Sequence, residues 1–216
     1  MWTIYILSVK ENTERRDHVQ RAAHRMTFYG FHVIILDAYY WKKTNVVEQM
    51  LKEKIAFSNV SQSQIGCFLS HRLAWSIIVE KNDNRAIILE DDMDLEDIER
   101  FFTMEKSLNE NASTSLYDGV IMWKHPDKIP STVVRVGEHF IEYYKQWGLC
   151  AYHVSPHLCK QMLLINHLDQ PIDDYLYEHI FPLYKIVFTK HNLFVNLGYV
   201  GGYIRRVYQF SSLITE

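Results

Sequence analysis

Short apolar runs alternate along this chain with longer stretches whose apolar residues recur at helical spacing. That alternation predicts strands separated by helices. Residues 2–9 (Trp-Thr-Ile-Tyr-Ile-Leu-Ser-Val) read as a first strand, and a basic stretch over about 11–29 as a helix. The breaker Gly30 introduces a second strand at 31–37. An aromatic loop holding Tyr39, Tyr40 and Trp41 leads to a helix over about 45–54. Ser61 and Gln64 have the spacing of a capping box. The helix they open carries Ile65, Phe68, Leu69, Trp75 and Ile78 and runs to about Lys81. Asn82-Asp-Asn84 is a turn, and 86–89 a third strand.

The second half is less regular. Residues 117–123 read as a strand, and 133–136, 139–144 and 149–154 as shorter strands of a hairpin or meander. Ser155 as N-cap and Pro156 at the first helical position start a helix to about 166. Residues 170–180 open a further helical turn, and 184–189 form the last strand. No repeat, low-complexity tract or linker breaks the 216 residues, so one domain is expected. The alternation predicts an α/β fold with a largely parallel central sheet flanked by helices.

The third strand changes character at its end. Ala86-Ile-Ile-Leu runs into Glu90, Asp91, Asp92 and Asp94, and seven of the ten residues from Glu90 to Glu99 are acidic. Ligand sites of open α/β folds form along the carboxyl edge of the sheet. Carboxylates placed there are hard oxygen ligands suited to Mg²⁺ or Mn²⁺. Residues i and i+2 of an extended segment face the same side. Either Glu90 with Asp92 or Asp92 with Asp94 can therefore serve, and Asp92, common to both registers, is the expected metal ligand. The competing reading is an acidic loop that caps the following helix.

Composition narrows the classes. Apolar residues make up 48% of the chain, ample for a packed core, and a net charge of −3 gives no pull toward nucleic acid. The three cysteines form no Cys-x-x-Cys pair, which argues against a disulfide framework and fits a reducing compartment. The start has no charged-then-apolar leader pattern and no apolar run reaches membrane-helix length, so a cytoplasmic location is expected, with the Tyr/Arg tail at 199–210 read either as a weak peripheral contact at the inner face of a membrane or as an oligomerisation segment. The chain has no glycine-rich phosphate loop and no Gly-x-Ser-x-Gly elbow.

Five motifs occur in order. They are Ile4-Tyr-Ile-Leu-Ser-Val with Glu14-Arg15-Arg16, Gly66-Cys-Phe-Leu-Ser70-His71 with Trp75, Leu89-Glu90-Asp91-Asp92, Gly148-Leu-Cys-Ala-Tyr152, and Pro171-Ile-Asp173. Together they resemble glycosyltransferase family 25, the lipooligosaccharide and collagen galactosyltransferase-like group. The resemblance implies a GT-A-like single domain with a donor half over about 1–95 and an acceptor half over about 115–216. It implies transfer of a hexose, galactose above all, from a UDP-sugar to a glycan or glycolipid acceptor, with inversion, in lipooligosaccharide or lipopolysaccharide biosynthesis, and Mn²⁺ (or Mg²⁺) as cofactor.

Site expectations follow from that resemblance. Glu90 and Asp91 join Asp92 and Asp94 at the metal–diphosphate corner. Arg15 is a diphosphate clamp and Ser70 and His71 line the donor site, orienting without reacting. Backbone near Ser8 and residues 37–39 frames base and ribose. Asp173, with Asp174 as rival, is the candidate base for the acceptor hydroxyl; either can equally be an N-cap. Trp147, Gly148 and Tyr152 form either an aromatic sugar platform or core packing. Two other classes use the same sequence: a metal-dependent phosphoesterase built on the acidic cluster, and an inactive relative acting as a binding subunit.

Overall fold

The computed structural model describes residues 1–93, 95, 120–122, 134–136, 140–142, 148–184 and 186–189. Its elements are β1 (Thr3–Ser8), α1 (Thr13–Phe28), β2 (His32–Asp37), α2 (Val46–Lys52), β3 (Ala56–Phe57), α3 (Gln62–Lys81), β4 (Ala86–Glu90), β5 (Val120–Met122), β6 (Val134–Val136), β7 (Phe140–Glu142), β8 (Ala151–Val154), α4 (Pro156–Leu163), β9 (His167–Leu168), α5 (Ile172–Tyr175) and β10 (Ile186–Thr189).

Local chemistry sets the helix ends. Asn12 caps α1 by accepting the Arg15 N–H. Ser61 and Gln64 make the expected reciprocal capping box of α3, which ends at Asn82 in the left-handed region (φ 50). Ser155 caps α4 with Pro156 in the first turn.

Eight strands form one sheet in the order β2-β1-β4-β8-β5-β10-β7-β6. β2, β1 and β4 pair in parallel; β8 is antiparallel to both β4 and β5, and β7 to both β10 and β6. With β10 parallel to β5, only β8 and β7 run against the other six, so the sheet is mostly parallel. Alternation along β1 separates two cores. Tyr5 and Leu7 face α2, α3 and α4, whereas Ile4 and Ile6 face Val19, Ala22 and Met26 of α1. Helices thus cover both faces, and the carboxyl ends of β2, β1 and β4 meet at one edge, with Ser8 beside Asp37 and Leu7 beside Glu90.

Three local expectations are revised. The 149–154 segment is no member of a meander: β8 inserts into the middle of the sheet, where His153 pairs with Ile87 on one side and Ile121 on the other. The turn at 170–180 changes type, from α5 into a π-helical turn (Leu176–Ile180) and a 3₁₀ turn (Phe181–Leu183). β3 and β9 form a separate two-stranded parallel sheet that the pattern did not announce. Among the described residues no helix is long and apolar enough to cross a membrane. Asp94, Trp147 and the 199–210 tail lie outside the described residues.

Candidate active site

A cleft opens at the carboxyl edge of β2, β1 and β4. It is lined by Leu7 and Val9 from the end of β1, the aromatic loop at 38–41, the α3 face with Ser63, Cys67, Ser70 and His71, and Glu90, Asp91 and Asp92 behind β4. Arg15 reaches it from the first turn of α1.

The three carboxylates have different surroundings. Asp91 turns toward α1, where Oδ1 accepts from Arg15 Nη1 at 2.8 Å and Oδ2 from the Val9 N–H at 3.2 Å. Burial pushes its carboxyl above the ordinary value, although Arg15 and Val9 pull it down. Asp92 Oδ2 stands 3.9 Å from the same guanidinium. Glu90 is the most open of the three, with 26% of its side chain exposed. Burial acts to raise its carboxyl too. The hydrogen bond from His71 and, when the ring is protonated, its charge outweigh that, followed by the Cys150 thiol and Arg15, so the net shift is downward.

Arg15 therefore holds the edge together from below: it is 6% exposed and ion-paired to Asp91. Its neighbour Arg16 does the same for the other strands, bonding Asp37 at 2.9 Å and the Ser8 carbonyl oxygen at 3.3 Å. That carbonyl also accepts the Ala38 N–H. Ser8 itself is buried on the α1 side of β1 and does not line the cleft; Leu7 and Val9 do. The expectation put backbone near Ser8 at the base and ribose; the residues on either side of it, Leu7 and Val9, reach the cleft, while strand alternation turns the Ser8 side chain toward α1.

Ser70 and His71 both line the cleft and tie its walls together. Ser70 Oγ accepts the Tyr39 N–H at 2.8 Å and donates to the Gly66 carbonyl oxygen at 2.7 Å, pinning the aromatic loop to α3. The loop passes so close that a Cβ on Gly66 would lie 2.7 Å from the Tyr39 carbonyl oxygen. His71 belongs to a relay. Trp75 Nε1–H donates to the Tyr152 oxygen (2.9 Å), the Tyr152 hydroxyl donates to His71 Nδ1 (2.9 Å), and Nε2–H donates to Glu90 Oε1 (3.2 Å). An ionised Glu90 only accepts, so Nε2 carries a proton, and in the neutral ring Nδ1 then accepts from the Tyr152 hydroxyl. Burial keeps that phenol protonated by pushing it well above its ordinary value. Tyr152 is fully buried, so it is core packing and not a sugar platform.

Asp173 accepts the Gly148 N–H at 2.8 Å, and α5 has no side-chain cap, which removes the N-cap reading of Asp173. Gly148 adopts φ +89, a left-handed conformation that suits glycine. Asp174 is half-buried beside it. The Asp173 charge reaches the cleft. Cys67 is open to the cleft, yet desolvation by the cleft walls raises its thiol above the ordinary value, and Glu90, Asp173 and Asp92 raise it further in that order.

Among the described residues, the possible metal ligands that converge are Cys67, His71 and Glu90, with donor atoms within 4.8 Å of one another. Cys67 and His71 stand four apart on one face of α3, a spacing that is already present in the sequence. Glu90 comes to them only through packing of α3 on β4. Glu90 and Asp92 both face the cleft, so hard oxygen ligands fit a divalent cation there.

Comparison with known proteins gives a consistent picture. The model of glycosyltransferase family 25 (LPS biosynthesis protein) matches residues 1–176. A glycosyltransferase 25 family member of Drosophila melanogaster is 25% identical over 187 residues, covering 80% of this chain and 30% of that protein. Procollagen galactosyltransferase 2 of Homo sapiens is 22% identical over 207 residues, covering 87% and 30%. The chain thus spans about a third of the length of these relatives.

Proposed function

The chain belongs to glycosyltransferase family 25, and from that premise we propose that it transfers a hexose, galactose first among candidates, from a UDP-sugar to a glycan acceptor with inversion. The human relative is named a procollagen galactosyltransferase. The family's association with lipopolysaccharide biosynthesis favours a lipooligosaccharide or lipopolysaccharide acceptor for this chain. The observation that carries the reading is the convergence of Glu90, Asp92 and the aromatic loop on one cleft at the ends of three parallel strands.

In this reading the nucleoside lies against Tyr39, Tyr40 and Trp41. Trp41 Nε1 is buried with no hydrogen-bond acceptor among the described residues, and a donor oxygen supplies one. Glu90 and Asp92 would hold a divalent cation, and its charge would stabilise a departing diphosphate. Asp94 remains a proposed additional ligand. Arg15 acts on the diphosphate indirectly, by fixing Asp91 and the edge. His71 keeps Glu90 oriented through its Nε2–H.

Asp173 is the proposed base. Gly148 fixes Oδ2, leaving Oδ1 to take the acceptor hydroxyl's proton on the face opposite the leaving group. Donor recognition falls to the first half of the chain, about 1–95, and acceptor binding to about 115–216. A thermal-shift panel of nucleotide sugars with and without Mn²⁺ tests the reading. UDP-hexoses with Mn²⁺ raise the melting temperature by ligand linkage. Hydrolysis of generic phosphodiesters without such a shift would instead mark a phosphoesterase.

A further inference from the structure

We propose that Cys67, His71 and Glu90 form a binding site for a thiophilic divalent cation of the zinc class, with a ligand set different from that of the oxygen-bound cation at the diphosphate.

The three side chains bring one thiol sulfur, one imidazole nitrogen and one carboxylate oxygen within 4.8 Å of one another. Around a tetrahedral Zn²⁺, with bonds of about 2.0–2.3 Å, ligand atoms stand roughly 3.3–3.7 Å apart. His71 Nε2 and Glu90 Oε1 are already 3.2 Å apart. The scaffold is stiff, since Cys67 and His71 lie one turn apart in the middle of the 20-residue α3 and Glu90 ends a central strand. Cys67 is exposed toward the cleft, which gives a cation entry and leaves room for water as fourth ligand. Sulfur and imidazole ligands favour Zn²⁺ and Co²⁺ over Mg²⁺ or Mn²⁺.

The proton balance is simple. Binding sends the Cys67 thiol proton to solvent. The imidazole proton shifts from Nε2 to Nδ1, where the Tyr152 oxygen accepts it together with the Trp75 N–H, and the phenol's own proton turns out of the relay. One proton is released per cation, and the thiolate and carboxylate neutralise its two charges. Tyr152 is the partner that fixes the ring of the ligating histidine. Glu90 cannot serve this cation and the diphosphate cation together; that consequence rests on the transferase reading, whereas the binding itself does not.

Cobalt titration of the whole chain tests the proposal without any sugar donor. Co²⁺ should give a thiolate-to-metal charge-transfer band that saturates at one equivalent, is displaced by Zn²⁺ and is absent in Cys67→Ser. A second measurement needs no variant: alkylation of Cys67 mapped by mass spectrometry, with the buried Cys150 and Cys159 as internal references. With Zn²⁺ at 100 times its dissociation constant, labelling of Cys67 should slow about 100-fold. No charge-transfer band, a band retained in folded Cys67→Ser, or labelling indifferent to Zn²⁺ overturns it.

Discussion

Arg15 and Asp91 form a buried ion pair at 2.8 Å, joining the first turn of α1 to the residue that follows β4. Both residues are nearly excluded from solvent, at 6% and 5% exposure. The pair ties together the edge on which the cleft is built. Breaking such a pair from one side leaves a buried uncompensated charge, which costs about 3–5 kcal/mol. Arg15→Ala should lower stability in urea melts by that order, and Arg15→Met combined with Asp91→Leu should regain most of it. A fully stable Arg15→Ala that merely binds donor less tightly would mean that the guanidinium serves the diphosphate directly.

His153 gives the fold a pH dependence. It is buried in β8 against the edge of the Trp2 ring and bonds the Ala86 carbonyl oxygen through Nδ1 at 2.8 Å. Burial lowers its pKa from 6.5 to about 4, against the opposing pull of that hydrogen bond and of Asp83. A depressed value means that the folded state prefers the neutral ring. The stabilisation is present above pH 6.5 and is lost as pH falls from there toward 4, on the order of 3 kcal/mol in all. Denaturant melts at stepped pH should show this decline in the wild type and a flatter profile in His153→Gln. Parallel profiles would assign the acid sensitivity to other groups.

Gly66→Ala probes the aromatic wall. The added methyl would sit 2.7 Å from the Tyr39 carbonyl oxygen, so the loop must move or α3 must give. Overpacking of this kind costs about 1–3 kcal/mol. The melting temperature should fall and UDP affinity should weaken, because Tyr39, Tyr40 and Trp41 shift together. Unchanged melting and binding would show that the loop is not held at this contact.

Asp173→Asn separates chemistry from binding. Asparagine keeps an oxygen to accept the Gly148 N–H but takes up no proton at neutral pH. Loss of a general base lowers kcat by about 10²–10⁴-fold. UDP affinity should remain at the wild-type level, since the proposed donor contacts lie on the β1–β4 side. Full activity in Asp173→Asn would pass the role to Asp174, which the same substitution there would reveal.

Helix starts and stops were legible because their signals are local. The Ser61–Gln64 capping box, the Asn82 turn and the Ser155-Pro156 start are written within three or four residues, and each stands where expected. What local pattern could not give was long-range pairing. β8 looks like any short strand, and only its partners Ile87 and Ile121 make it central. β3 and β9 are two residues each, too short for a periodic signature. The site divides in the same way. The carboxylate-tipped strand and the Cys67–His71 spacing are visible in sequence. The turning of Asp91 toward Arg15, 76 positions away, and the arrival of Glu90 at His71 are decided by packing of α1 and α3 on opposite faces of the sheet.

The transferase reading meets its most direct test in isothermal titration of UDP into the chain, with and without Mn²⁺, for wild type and Asp92→Ala. The expected result is UDP binding that depends on Mn²⁺ and weakens by more than about 10-fold, or ~1.4 kcal/mol, in a folded Asp92→Ala. Absence of UDP binding under both conditions, or equal affinity in the variant, would contradict a metal–diphosphate corner at the end of β4.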